Sequence, residues 1–87
     1  MFFEKNLYYV FVKYYYKSEL HYQILYQRDN FDKCCEFLYD YYKKHRDFET
    51  NDYKIIDYAI VYVDMHMNLT TLSNIKDRLD KGCVIYE

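Results

Sequence analysis

The 87-residue sequence contains one glycine, one alanine, no proline and no tryptophan. Glycine supplies the unusual backbone conformations of phosphate-binding loops, dinucleotide-binding turns and nucleophile elbows. A chain with a single glycine cannot contain any of these motifs. The scarcity argues against the enzyme classes built on them, and we expect a protein that is not an enzyme.

Side chains for nucleophilic or metal chemistry are present but scattered. In the predicted first helix, Cys34 and Cys35 fall on the apolar stripe, where a thiol usually acts as an inert small hydrophobe. Potential metal ligands, including two soft thioethers, gather at residues 64–67, but in a strand Asp64 and His66 point away from the methionines. No spacing joins the candidate nucleophiles and bases, which are Cys34, Cys35, Cys83, His21, His45 and His66. We therefore expect no catalytic residue, no metal and no cofactor.

Signals for export or membrane insertion are also lacking. The first residues have no basic start and no apolar run of signal length. The longest apolar-rich stretch, residues 55–63, is interrupted by Asp57 and is too short to span a bilayer. Three cysteines cannot all pair within one chain. We expect a cytoplasmic protein with reduced thiols and no membrane partner.

Tyrosine is the residue that the chain has in excess, with 14 copies beside six phenylalanines. A chain of this length buries roughly 60% of its unfolded surface, which is enough for one modest core. The small net charge of −2 and the many aromatic rings argue against disorder. We expect a single compact domain over residues 1–87. Its tyrosines exceed the needs of that core and favour rigid contacts with a partner.

The first half of the sequence predicts a hairpin and a helix. Residues 7–17 alternate as a strand, and a polar break at residues 17–19 leads to a second strand. The turn lacks the Asn-Gly pair that favours tight hairpins. A helix then begins after Asp29 or Asn30, and its last turn is basic, as the helix dipole favours.

The second half predicts a long central strand over residues 53–66 and a helix over residues 70–81 that Gly82 terminates. Strict alternation places Ile55 on the same strand face as Ala59 and Val61. Residues 83–86 would form a final short strand. The predicted order is β-β-α-β-α-β, an α+β fold with one small, mainly antiparallel sheet and two helices on one face.

The sheet face opposite the helices poses the functional question, because its strands carry aromatic rings there as well. A large exposed apolar patch is unusual on a monomer, and either a foreign protein or a homodimer would bury it. We predict a protein partner that binds Tyr9, Phe11, Lys13, Tyr15 and Tyr16. A secondary acidic edge, suited to a basic partner, would comprise Asp47, Glu49, Asp52, Asp57 and Asp64.

Nucleic acid is the alternative partner, because aromatic sheet faces stack bases. Tyr9, Phe11 and Tyr15 with Lys13 and Lys17 are typical of a single-strand platform. However, 12 basic residues against 14 acidic residues provide no global positive field. The basic run at residues 43–46 is already explained by its position at a helix C-terminus.

The composition also indicates a source. Residue types with A/T-rich codons dominate, which predicts an A/T-rich genome. In this respect the chain is similar to accessory proteins of viruses, phages and mobile elements from low-GC hosts. The likeness implies a phage- or virus-encoded inhibitor of a host factor, such as a CRISPR defence nuclease, that acts by steric occlusion. A structural homodimer remains a further alternative.

Overall fold

A computed structural model describes residues 3–85. It contains two long strands, β1 (Leu7–Tyr16) and β2 (Glu19–Arg28), then helix α1 (Phe31–His45). Strand β3 (Tyr53–Val63), short strand β4 (Leu69–Leu72) and helix α2 (Ile75–Asp80) follow. The strands form one antiparallel sheet in the order β2-β1-β3-β4. The predicted α+β fold is confirmed.

The order of the last elements differs from the prediction, because a strand precedes α2 and the order is β-β-α-β-β-α. The expected helix over residues 70–81 begins only at Ile75, and residues 69–72 pair with β3 instead. Two threonines, which are β-branched, favour the strand there. Asn74 then ends the extended backbone with a left-handed φ of 58°. Residues 83–85 form no strand, and Tyr86 lies outside the described residues.

Helix α1 begins and packs as the sequence predicts. The Asn30 side chain accepts a hydrogen bond from the Lys33 N–H at 3.1 Å, which caps the helix. Cys34, Cys35 and Leu38 are buried against the sheet. The cysteines are therefore part of the core.

Helix α2 ends at Gly82, whose φ is +73°. The Gly82 N–H donates to the Leu79 carbonyl at 3.1 Å, and the Cys83 N–H donates to the Arg78 carbonyl at 2.8 Å. These two bonds form a Schellman motif, which requires the left-handed conformation that glycine adopts at low cost. The predicted cap is confirmed.

Both helices pack on one sheet face, and the core lies between them and the sheet. The Tyr42 hydroxyl of α1 donates to the Asp80 carboxylate of α2 at 2.6 Å, which joins the helices to each other. The buried core comprises Val10, Val12, Cys34, Cys35, Leu38, Ile55, Tyr58, Ile60, Ile75, Leu79 and Ile85.

A β-bulge in β3 changes which residues enter this core. Lys13 pairs with Asp57, but the next residue, Tyr14, pairs with Ile55, so Ile56 is an extra residue in β3. The bulge brings Ile55 to the same face as Tyr58, and both are buried. The prediction that Ile55 shares a face with Ala59 was wrong, because strict alternation does not hold across a bulge.

Candidate binding face

The sheet face turned away from the helices is called the open face. Its end near the N-terminus is covered by the chain itself. The Phe3 ring packs edge-on against Tyr9, with 4.9 Å between the ring centroids. The Glu4 N–H donates to the Tyr9 hydroxyl at 2.6 Å. Tyr9 is only 2% exposed as a result. This ring therefore belongs to the interior and is not a surface contact.

The other end of the open face, toward the β1–β2 turn, carries exposed rings. Tyr15 is 45% exposed and its cross-strand partner Leu20 is 43% exposed. Tyr22, opposite Lys13, is 64% exposed. We call the surface formed by Phe11, Lys13, Tyr15, Leu20 and Tyr22 the hairpin patch. Its side chains stand on two adjacent strands, which hold them in fixed positions.

Two lysines stand at the hairpin patch. The Lys13 ammonium lies 5.8 Å from the Tyr22 ring centroid, within the range of a cation–π interaction. Lys54 is the cross-strand partner of Tyr15, whereas the ammonium of Lys17, in the turn, lies 5.3 Å from the ring centroid of Tyr16 on the helix side. Within residues 3–85, these three lysines make no ion pair, although Asp52 lies beside Lys54 in a shallow hollow.

Most lysines on the helices or at their ends are paired with acids, in contrast to those of the patch. Lys44 lies 2.9 Å from the Asp40 carboxylate, and Lys81 lies 3.0 Å from the Asp77 carboxylate. Lys33 and Lys76 pair with acids three and four residues farther along their helices. Lys43 of α1 makes no ion pair within residues 3–85. Lys13 and Lys54 nevertheless place unpaired positive charge beside the exposed rings of the hairpin patch.

The structure divides the five predicted partner-binding residues. It places Phe11, Lys13 and Tyr15 together in the hairpin patch. Tyr9 is buried, as described above, and Tyr16 lies on the helix side because adjacent strand residues face opposite sides. Leu20 and Tyr22 of β2 were missed, although the alternation of β2 places both on the face of Tyr15.

The predicted acidic edge is not one surface. Asp52 and Asp64 flank the eleven residues of β3, which separates them by roughly 40 Å. Asp64 accepts hydrogen bonds from the backbone N–H groups of His66 and Asn68 and so shapes the β3–β4 turn. Glu49 accepts from the Ile55 N–H at 3.3 Å. These carboxylates form local backbone contacts, whereas Asp47 is an exposed loop residue.

Asp57 acts on the start of α2. Its Oδ2 accepts from the Asn74 N–H at 2.8 Å, and its Oδ1 accepts from the Lys76 N–H at 3.1 Å and from the Tyr58 N–H at 2.8 Å. The Asn74 side chain makes no capping bond to α2. Asp57 therefore caps α2 from a distant strand, and the bulge beside it sets its position.

The thiols of α1 are poor nucleophiles in this setting. Burial raises the pKa of Cys34 to about 11, with a small opposing effect from Arg28. Burial likewise raises the pKa of Cys35 to about 11. Both thiols are protonated near neutral pH, and the thiolate is the reactive form. Within residues 3–85, no group of three or more His, Cys, Asp or Glu side chains is placed to hold a metal.

No helix within residues 3–85 is long and apolar enough to cross a membrane. Comparisons with known protein families, curated proteins and solved structures find no match.

Proposed function

We propose that this protein is a small, non-catalytic protein-binding module that acts through the hairpin patch. The observation that carries the proposal is the exposure of Tyr15, Leu20 and Tyr22 side by side on a sheet face. Tyrosine combines large contact area with a hydrogen-bonding hydroxyl and few rotatable bonds, so it loses little entropy on binding. Such rings commonly dominate the energy of an interface.

The mechanism is steric occlusion. The exposed rings would anchor in a desolvated centre, and the surrounding lysines would form a charged rim that steers an acidic partner. A bound domain of this size would block a nucleic-acid or partner site on the target. The A/T-rich composition supports the specific version, in which a phage or virus encodes the module and it inhibits a host factor in the host cytoplasm. A CRISPR defence nuclease is one such target.

Nucleic acid is the second candidate, and one observation favours it. Lys13, which makes no ion pair within residues 3–85, lies next to the exposed Tyr22 ring, and single-strand binding surfaces combine these two features. Because Tyr9 is buried, only two of the three rings predicted to stack on bases remain, those of Phe11 and Tyr15. The protein partner is favoured because the remaining exposed surface includes Leu20, which offers no ring for a base.

Affinity capture tests the proposal. Tagged wild-type protein is incubated with lysate of a low-GC bacterial host, with and without nuclease, and retained proteins are identified by mass spectrometry. A Tyr15→Ala/Tyr22→Ala variant should be folded and should lose the retained protein. The matched control, Phe48→Ala, removes a ring that is 64% exposed in a loop away from the sheet, and it should retain the partner.

Three outcomes would contradict the proposal. Recovery that disappears with nuclease would indicate nucleic acid as the ligand. Equal capture by the double variant would show that the hairpin patch is not the contact surface. An empty capture together with a dimer in analytical ultracentrifugation would indicate a homodimer in place of a foreign partner.

A further inference from the structure

A hollow of about 350 Å³ adjoins the hairpin patch on the open face. Phe11, Lys13 and Tyr22 line it from β1 and β2. Thr71 of β4 and Ser73 and Asn74 of the β4–α2 connection line it from the opposite side. The hollow is therefore a recess between two edges of the sheet, with aromatic walls on one side and polar groups on the other.

The recess exists because its floor is small. Ala59, the single alanine of the chain, is the cross-strand partner of Phe11 and lies on central strand β3. On the same face of β3, the next residue is Val61, which is larger. A bulkier residue at position 59 would project from the sheet into the recess. A substitution here fills the hollow without entering the core on the helix side.

Two charged groups border the recess, the Asp57 carboxylate and the Lys13 ammonium. They differ in how many neighbouring groups offset their charge. The Asp57 carboxylate accepts hydrogen bonds from three backbone N–H groups and caps α2. These donors and the positive end of the helix dipole compensate its negative charge. The Lys13 ammonium lies 5.8 Å from the Tyr22 ring centroid and makes no ion pair within residues 3–85, although Asp57 is its cross-strand partner. The cation is the group that a ligand can still pair.

We infer that this recess receives a glutamate or aspartate side chain of the protein partner. The Lys13 ammonium and the hydroxyls of Thr71 and Ser73 would bind the carboxylate, and the rings of Phe11 and Tyr22 would pack on the neighbouring chain. The inference rests on the proposed function and names the chemistry of its partner. A purely apolar anchor would leave the ammonium and both hydroxyls desolvated without partners, which is costly.

The size of the recess favours a carboxylate side chain over a phosphodiester. An acidic side chain carries its charge at its end and can enter a hollow of about 350 Å³ from above. A phosphodiester lies within its own chain, so it needs a continuous groove that tracks the backbone.

A peptide titration followed by ¹H–¹⁵N NMR tests the inference. The probes are a blocked peptide with glutamate between two phenylalanines and its glutamine analogue, each added up to the millimolar range expected for a single anchor. The glutamate peptide should shift the amides of Lys13, Thr71 and Ser73. It should bind about tenfold more tightly than the glutamine peptide, since hydrogen bonds to charged groups are the stronger ones.

Variants make the test specific. Lys13→Gln and Ala59→Leu should each remove the difference between the two peptides, whereas Lys33→Gln on α1 should not. Thr71→Val keeps the side-chain shape and removes one hydroxyl, so it should weaken binding even if Ala59→Leu alters the fold. Equal binding of both peptides to wild type, or stronger shifts of the same amides by oligothymidylate, would overturn the inference.

Capture of the partner by two different variants distinguishes a failure of this inference from a failure of the proposed function. Loss of capture in both Ala59→Leu and Tyr15→Ala/Tyr22→Ala would support the recess as an anchor site. Capture that survives Ala59→Leu but is lost in the double tyrosine variant would overturn the recess and leave the proposed function intact. Capture that survives in both variants would overturn the proposed function and the recess together.

Discussion

Replacing Asp57 with alanine should destabilise the protein, because its carboxylate accepts hydrogen bonds from three backbone N–H groups. Two of these, from Asn74 and Lys76, belong to the start of α2, where the Asn74 side chain makes no capping bond. Loss of a helix N-cap costs about 1 kcal/mol. Loss of the bond to the Tyr58 N–H adds about 1 kcal/mol. The expected loss in free energy of unfolding is about 2 kcal/mol.

Urea unfolding followed by far-UV circular dichroism measures this loss. A domain of this size should also melt roughly 10 °C lower. Asp57→Asn keeps one acceptor oxygen and removes the charge, so it should lose about half as much. The matched control is Asp47→Ala, an exposed loop carboxylate, which should change stability by less than about 0.5 kcal/mol. An Asp57→Ala protein as stable as the Asp47→Ala protein would refute the capping role.

Three further predictions concern the turn, the thiols and the helix contact. Lys17 and Ser18 have φ values of 50° and 67°, so the Lys17→Asn/Ser18→Gly double variant should raise stability by about 1–2 kcal/mol in urea unfolding; an unchanged midpoint would contradict the turn geometry. Folded protein at pH 8 should show one rapidly reacting thiol with Ellman's reagent, the exposed Cys83, and all three should react in urea; rapid reaction of a second thiol in the native state would contradict the buried positions. The hydrogen bond from the Tyr42 hydroxyl holds the pKa of Asp80 below its usual value. The contribution of this bond to folding stability is therefore present above the pKa that Asp80 has in the unfolded chain, and it is lost as the pH falls through the lower pKa of the folded protein. Tyr42→Phe should therefore lose less stability than wild type between about pH 5 and pH 2; parallel pH profiles would contradict the contact.

Local sequence patterns predicted the elements whose structure depends on local interactions. The alternation of residues 7–16 and 19–28 and the apolar stripe of α1 correspond to elements that the structure contains. Asn30 and Gly82 cap helices through bonds that span only a few residues. These features were predictable because each depends on neighbours in the sequence.

Features that depend on distant residues were not predictable from one sequence. Leu72 stands three residues before Ile75 and so fits a helical stripe, yet it pairs with Ile60 in the sheet. The bulge at Ile56 positions Asp57 to cap a helix that begins 18 residues later. Both errors arose where a tertiary contact competes with a local pattern.

The candidate site was predicted only in part, because some of its contacts join residues that are distant in the sequence. Alternation correctly groups Phe11, Lys13 and Tyr15 on one face, and their role in binding stays a prediction. The cover over Tyr9 depends on Phe3 folding back on the sheet, which no periodicity indicates. The recess beside Tyr22 depends on the pairing of separate strands and on a connection to α2.

Lysine footprinting of the captured complex tests the central claim most directly. The free protein and the complex are briefly acetylated, and the extent of modification at each lysine is read by mass spectrometry. If the hairpin patch is the binding surface, Lys13 and Lys54 should be protected in the complex, while Lys33 and Lys44 on α1 should react as in the free protein. Protection of the α1 lysines with unchanged reactivity around the hairpin patch would contradict the claim and place the partner on the helix side.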